Sequence, residues 1–162
     1  MKNRTSRHGV TLVEMLVVMA ILMMLAGLVA VVWRGLDVQT KEKALQNTLT
    51  ILDNALTEYK DQDPNDRFPV QTQRDPNDAL VHSQFLYKKL DSVYASREVL
   101  YKLDGRWLKN LYLPEPNDVI LEIYDPWERP IDYVYVIGDS FFLLRSAGPD
   151  KRFGTADDIF YR

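Results

Sequence analysis

The chain has 162 residues, 46% of them hydrophobic and 27% charged, with a formal net charge of -3. That composition excludes disordered, collagen-like and low-complexity classes, and the length suits one domain with at most an appendage. The acidic balance argues against a general affinity for nucleic acid, and the lack of cysteine excludes disulfide scaffolds, thiolate metal sites and cysteine nucleophiles.

In chain order, residues 1–9 carry Lys2, Arg4 and Arg7 and no acid, and every residue from Met15 to Trp33 is apolar or glycine. A helix over that run covers roughly 28 Å, close to the hydrocarbon thickness of a bilayer, and it has no polar face to turn to water. A membrane-spanning helix is therefore expected. The run is longer than the apolar stretch of a cleaved secretory signal, and Glu14 sits inside the greasy region. An ionised carboxylate in a membrane helix costs on the order of 3 kcal/mol near the centre and less towards an end, so it needs a partner or a headgroup-level position. Basic residues are nearly balanced on the two sides of the run (Arg34, Lys41 and Lys43 follow it), so charge alone tilts only slightly towards a cytoplasmic amino terminus.

Beyond Gly35, apolar residues recur at Leu45, Leu49, Leu52, Leu56 and Tyr59, with charged and amide residues between them. This is one face of a helix, and a single helix from about Thr11 to Lys60 is expected. Asp63-Pro64-Asn65-Asp66, Asp75-Pro76-Asn77-Asp78 and Glu115-Pro116-Asn117-Asp118 read as turns or helix caps. Ala79 to Leu103 reads as one or two short helices with Asp78 at the start, and His82 reads as a lone imidazole with a surface or packing role. Trp107, Leu108, Leu111, Tyr112 and Leu113 are expected to pack over the head.

Three strands are expected at the carboxyl end, over Val119–Tyr124, Ile131–Ile137 and Ser140–Arg145, with Gly138-Asp139 turning the last pair. After them Asp150, Asp157 and Asp158 crowd a short segment that also holds Gly148 and Gly154. Hard oxygen donors in an irregular loop suit calcium, although Lys151 and Arg152 could neutralise the acids instead. No nucleophile elbow, phosphate loop or histidine pair is visible, so no enzymatic activity is expected.

The string Gly9-Val10-Thr11-Leu12-Val13-Glu14, followed by the apolar run, resembles the signal of type IV pilins and type II secretion pseudopilins. The resemblance implies cleavage by a prepilin peptidase between Gly9 and Val10, methylation of the new amine at Val10, and neutralisation of that amine by Glu14 of a neighbouring subunit. A phenylalanine is usual in the family where this chain has Val10. Asp125-Pro126-Trp127, Pro130 and Tyr133 resemble the turn before the sheet of the major pseudopilin, and residues 146–150 with 156–159 resemble its calcium loop. On that resemblance Ser146, Asp150, Asp157 and Asp158 are candidate metal ligands, with the choice between Asp157 and Asp158 left open.

The resemblance further implies a pilin-like α+β fold, in which a long amino-terminal helix, half membrane-spanning and half amphipathic, packs on a small antiparallel sheet. Its parts would be a leader at 1–9, a transmembrane and assembly helix at 10–34, an amphipathic continuation at 35–60 and a periplasmic head at 61–162. Loss of the leader would remove three positive charges and leave a mature chain more acidic than the precursor. The implied role is a structural subunit held in the inner membrane, amino terminus cytoplasmic and head periplasmic, that assembles into a short filament. Implied partners are copies of itself, other pseudopilins, prepilin peptidase, an inner-membrane platform protein and, through it, an assembly ATPase, with no nucleic acid. A type IV pilus subunit and a membrane-tethered calcium-dependent binding module are the alternatives.

Overall fold

The computed structural model describes residues 12–110 and 121–161. The chain divides into two compact units, Met1–Gln39 and Thr40–Arg162, and the helix α1 (Leu12–Gln62) contributes to both. Leu12–Val29 is long and apolar enough to cross a membrane, and none of it is buried. Its apolar side chains are exposed all round, as the lack of a polar face in the sequence requires.

In the second unit, the four-three-four periodicity of α1 becomes a core. Leu45, Leu49, Leu52, Ala55 and Leu56 are fully buried and cluster with Leu86, Leu90, Leu100, Ile123, Ile131, Tyr133 and Leu144. After α1 the chain turns at Asp63-Pro64-Asn65-Asp66. The Asn65 amide donates to Asp63 Oδ2 at 3.0 Å, and Asp66 has φ 53. At the second such string Asp75 Oδ1 accepts from the Asn77 amide at 2.9 Å and caps a short 3-10 turn, Pro76–Asp78. The cap is thus Asp75. Asp78 precedes the helix α2 (Ala79–Asp91) but makes no side-chain capping bond to it. A second helix, α3 (Tyr94–Leu100), follows. Leu108 packs against the core and Trp107 is partly buried, while Leu111, Tyr112, Leu113 and the string from Glu115 to Asp118 lie outside the described residues.

The strands correct one sequence expectation. Leu108–Lys109 (β1) pairs antiparallel with Glu122–Ile123 (β2) in a small sheet of its own. The three-stranded sheet consists of Asp132–Val134 (β3), Leu143–Ser146 (β4) and Ile159–Tyr161 (β5), in the order β3-β4-β5. Its third strand is therefore the tail and not Val119–Tyr124. The turn at Asp125-Pro126-Trp127 folds the chain back, with Ile131 donating to the Ile123 carbonyl at 2.8 Å and a single bridge between Tyr124 and Pro130. Proline has no amide to continue a ladder, which leaves β2 to pair with β1.

The hairpin also differs from the expectation. The β3–β4 register runs Asp132 with Arg145, Tyr133 with Leu144 and Val134 with Leu143. The connection is eight residues long, and Gly138 takes φ 103 within it. Ile131, Tyr133 and Tyr135 share one side of the strand and are buried, whereas Ile137, beyond the paired region, is exposed. This inner face joins the stripe of α1 in one apolar cluster; Tyr161 Oη also donates to Asp53 Oδ2 of α1 at 3.2 Å, and Tyr133 Oη donates to the Pro69 carbonyl, in the segment after α1, at 2.7 Å. A long amino-terminal helix followed by short helices and small antiparallel sheets is an α+β arrangement consistent with a pilin-like fold.

Candidate functional site

Three regions bear on function: the first turns of α1, a buried polar seam between α2 and the sheet, and the aspartate-rich segment after β4.

Glu14 lies in the first turn of α1, within the apolar span and exposed. The positive end of the helix dipole lies there, so a carboxylate is better tolerated in this turn than deeper in the span. Gly9 and Val10, the residues on either side of the expected cleavage point, lie outside the described residues, as does the leader.

The polar seam was not foreseen. His82 is fully buried on α2, with Nδ1 at 2.6 Å from Asp132 Oδ1. A carboxylate only accepts, so Nδ1 carries the proton, while Nε2 is buried without a hydrogen-bond partner. Asp132 on β3 is also fully buried, and its Oδ2 accepts from Arg145 Nε at 3.1 Å and from an Arg145 terminal nitrogen at 2.5 Å. Arg145 lies directly across the ladder from Asp132, which is why the two meet. The lone surface or packing imidazole is thus corrected in one respect: the packing role stands, and the residue has a partner 50 positions away. Asp132 alternates with Ile131, Tyr133 and Tyr135 and so falls on the opposite face of the strand, where the sequence pattern gives no sign of burial; that face is buried too, and the charge there is paired, as buried charges almost always are.

Next along the seam, Ser83 Oγ donates to the Ile123 carbonyl at 3.0 Å and accepts from the Ile123 amide at 2.7 Å, fastening α2 to β2. Gln84 donates to Glu122 Oε1 at 2.9 Å and the Tyr124 hydroxyl donates to Glu122 Oε2 at 3.1 Å. Burial and the Glu122 carboxylate push the Tyr124 phenol up to about 12.

Asp125 is the third buried carboxylate. Oδ1 accepts from the amides of Trp127 at 3.0 Å and Arg129 at 2.8 Å, and Oδ2 accepts from Ser146 Oγ at 2.6 Å. Desolvation raises its pKa above the ordinary 3.8 in spite of these bonds. A carboxyl raised on folding stabilises the fold fully below the unfolded value, and that contribution is lost as pH rises through the folded one. Asp125→Asn keeps an oxygen for the two amides and places an amide donor beside the serine hydroxyl. Its stability relative to the parent is therefore expected to climb as pH is raised above 3.8 in urea titrations; parallel curves would refute the assignment.

The aspartate-rich segment is tied to this turn. Ser146 Oγ, besides its bond to Asp125, accepts from the Gly148 amide at 3.1 Å, so the hydroxyl is engaged on both sides. Gly148 has φ 66, and a Cβ there would overlap the carbonyl oxygen of Asp157. Only glycine allows that approach. Asp150 Oδ1 accepts from the Arg152 amide at 2.8 Å and Asp158 Oδ2 from the Gly154 amide at 2.8 Å. Asp158 Oδ1 is shielded from solvent and has no hydrogen-bond partner. Lys151 pairs with Glu128 at 3.6 Å. Phe153 carries the guanidinium groups of Arg145 at 5.2 Å and Arg129 at 6.0 Å from its ring centre. The fold thus brings Ser146, Asp157 and Gly148 close together. Among the described residues, however, no three histidine or carboxylate side chains converge in a way that would hold a metal ion.

Residues 4–30 match the prokaryotic N-terminal methylation motif. The matched span includes Gly9, Val10, Glu14 and most of the apolar run, so the chain carries a type IV pilin-like prepilin signal joined to an apolar helix. No curated protein and no solved structure matches the chain.

Proposed function

We propose that the protein is a structural pseudopilin-type subunit, cut between Gly9 and Val10 by a prepilin peptidase and assembled into a short periplasmic filament of a type II secretion-like system. The observation that carries this reading is the methylation motif over residues 4–30, continuous with an apolar helix that bears Glu14 in its first turn. The chemistry agrees with the order of events. Cleavage leaves an amine beside an apolar helix, and in a low-dielectric setting that charge needs a carboxylate. Partners on this reading are further copies, other pseudopilins and an inner-membrane platform driven by a cytoplasmic ATPase. The subunit itself has a structural role and no catalytic one. The resemblance of Asp125-Pro126-Trp127, Pro130 and Tyr133, and of residues 146–150 with 156–159, to the major pseudopilin supports a secretion role over an adhesive pilus.

Intact mass after co-expression with a prepilin peptidase tests the reading. The expected product lacks residues 1–9, with one added methyl group at Val10. Persistence of the full-length chain would refute it.

Calcium at the segment 146–158 is a second part of the proposal. The donor chemistry suits it: Asp150, Asp157 and Asp158 offer hard oxygens, and the shielded Asp158 Oδ1 is without a partner. The Ser146 hydroxyl is committed to Asp125 and Gly148, and the carboxylates do not converge, so the side chains meet only part of a calcium site and main-chain carbonyls would have to supply the rest. An ion that binds only the folded head stabilises it by about 2.7 kcal/mol at one hundred times its Kd. Calcium is therefore expected to raise the Tm of the parent chain and not that of Asp150→Ala. Equal shifts, or none in the parent, would remove calcium from the proposal.

A further inference from the structure

The buried seam leaves part of one arginine unused. In the β3–β4 register Asp132 stands opposite Arg145 and Val134 opposite Leu143. Alternation sets these four on the outer face of the sheet, away from Tyr133 and Leu144. An open groove of about 470 Å³ lies there, and Arg74, Val134, Asp139, Phe141, Leu143 and Arg145 are in its lining. That volume is within the roughly 300–1,000 Å³ range of small-ligand sites. Val134 is buried, Leu143 half-buried and Phe141 70% exposed. The Arg145 side chain is 13% exposed and fixed on two sides. Its Nε and one terminal nitrogen bond Asp132, and the Phe153 ring centre lies 5.2 Å from the guanidinium. A guanidinium has five N–H donors in a rigid fork. Two serve Asp132, and the other three have no hydrogen-bond partner among the described residues.

A fixed, largely desolvated arginine with a free edge suits a planar anion with two oxygens. Arg74 adds a second cation, bonded to Asp139 at 3.2 Å in an exposed pair of the kind that contributes little and exchanges readily. Asp132 and Asp139 already balance the two arginines, so a monoanion meets less repulsion here than a phosphate dianion. We propose that this groove captures the carboxyl-terminal residue of a partner polypeptide. The carboxylate takes the free edge of Arg145 with Arg74 alongside, and the apolar side chain lies against Val134, Leu143 and Phe141. A terminal residue fits because it carries carboxylate and side chain on one Cα. The groove sets its cation and its apolar wall just as close, since Arg145 and Leu143 are two positions apart on one strand face, about 7 Å. Capture of a terminal carboxylate is a recurrent mode of peptide recognition. His82 and Asp132 then act as positioning residues that hold the arginine ready. The inference goes beyond the assembly reading and does not depend on it.

Methyl NMR of the full chain in dodecyl maltoside micelles, with labelled valine and leucine, tests the proposal through the Val134 and Leu143 signals. The probe is N-acetyl-phenylalanine. N-acetyl-phenylalaninamide keeps the ring without the charge, and N-acetyl-aspartyl-phenylalaninamide moves the carboxylate to an internal side chain. The acid is expected to shift both signals saturably, with each amide binding at least several-fold more weakly. Substitutions at Arg145 disturb the seam, so the variants are placed in the exposed pair. Arg74→Gln is expected to weaken binding several-fold, and Asp139→Asn to tighten it by removing the competing carboxylate. No response to the acid, or an equal response to the acid and its amide, would overturn the site. An equal response to the internal aspartate would overturn the terminal residue as occupant. Binding unchanged in both variants would overturn the charge recognition on which the proposal stands.

Discussion

Asp132→Ala is expected to be the most destabilising single substitution in the head, at about 3–5 kcal/mol. Asp132 is fully buried and answers two groups at once, His82 at 2.6 Å from α2 and Arg145 at 2.5 Å from β4. Its removal leaves the guanidinium, 13% exposed, without its carboxylate, and leaves the Nδ1 proton of a fully buried imidazole without an acceptor. Both penalties arise from groups that stay behind, so they exceed the worth of the intact contacts. Against a typical total of roughly 5–15 kcal/mol for a domain, a loss of this size brings the head close to unfolding at growth temperature. Replacing His82, Asp132 and Arg145 together with leucine or methionine is expected to cost less than Asp132→Ala alone, because no charge is then stranded. Urea unfolding of the full chain in detergent, followed by the fluorescence of the buried Trp127, measures both. A single-variant loss below about 1 kcal/mol would show that the trio is not the fastening between α2 and the sheet.

Glu14→Ala is expected to leave cleavage and the head unaffected and to abolish self-association. The substitution makes the apolar span more apolar, so membrane residence is retained or strengthened. What would be lost, on the proposed function, is the partner for the amine that cleavage would create at Val10. An unpaired charge in the low-dielectric contact costs on the order of 3 kcal/mol, equivalent to about a hundredfold in association. Glu14→Gln, which keeps the shape and removes the charge, is expected to behave like alanine; association of Glu14→Gln at the parent level would mean that shape and not charge sets the stagger. Co-purification of differently tagged copies and the intact mass of each variant separate loss of assembly from loss of processing.

The parts of this protein that were legible in the sequence are those governed by short-range pattern. The apolar run, the stripe Leu45-Leu49-Leu52-Leu56 and the two Asp-Pro-Asn-Asp turns each depend on residues within a few positions of one another, and each is where its pattern places it. The strands were half legible. The side-chain alternation at Ile131, Tyr133 and Tyr135 correctly marks an inner face, but alternation does not say which strand is the neighbour. The tail Ile159–Tyr161 won the third place in the sheet because the segment around Asp125-Pro126 turns away and Leu144 finds Tyr161. Sequence reading of the aspartate-rich segment named Ser146, Asp150, Asp157 and Asp158 as candidate metal ligands. It missed the commitment of Ser146 to Asp125, 21 positions earlier.

By itself the sequence determined that the chain has an apolar helix behind a prepilin-type signal, a second amphipathic stretch and an α+β head, since these follow from composition, periodicity and a motif read along the backbone. Tertiary structure alone decided that three carboxylates, Glu122, Asp125 and Asp132, lie inside that head. Burying a carboxylate is tolerable only where donors arrive from elsewhere in the chain, here Gln84 and Tyr124, Ser146 with two turn amides, and His82 with Arg145. Because most of those donors are many positions away along the chain, no local pattern could have announced them.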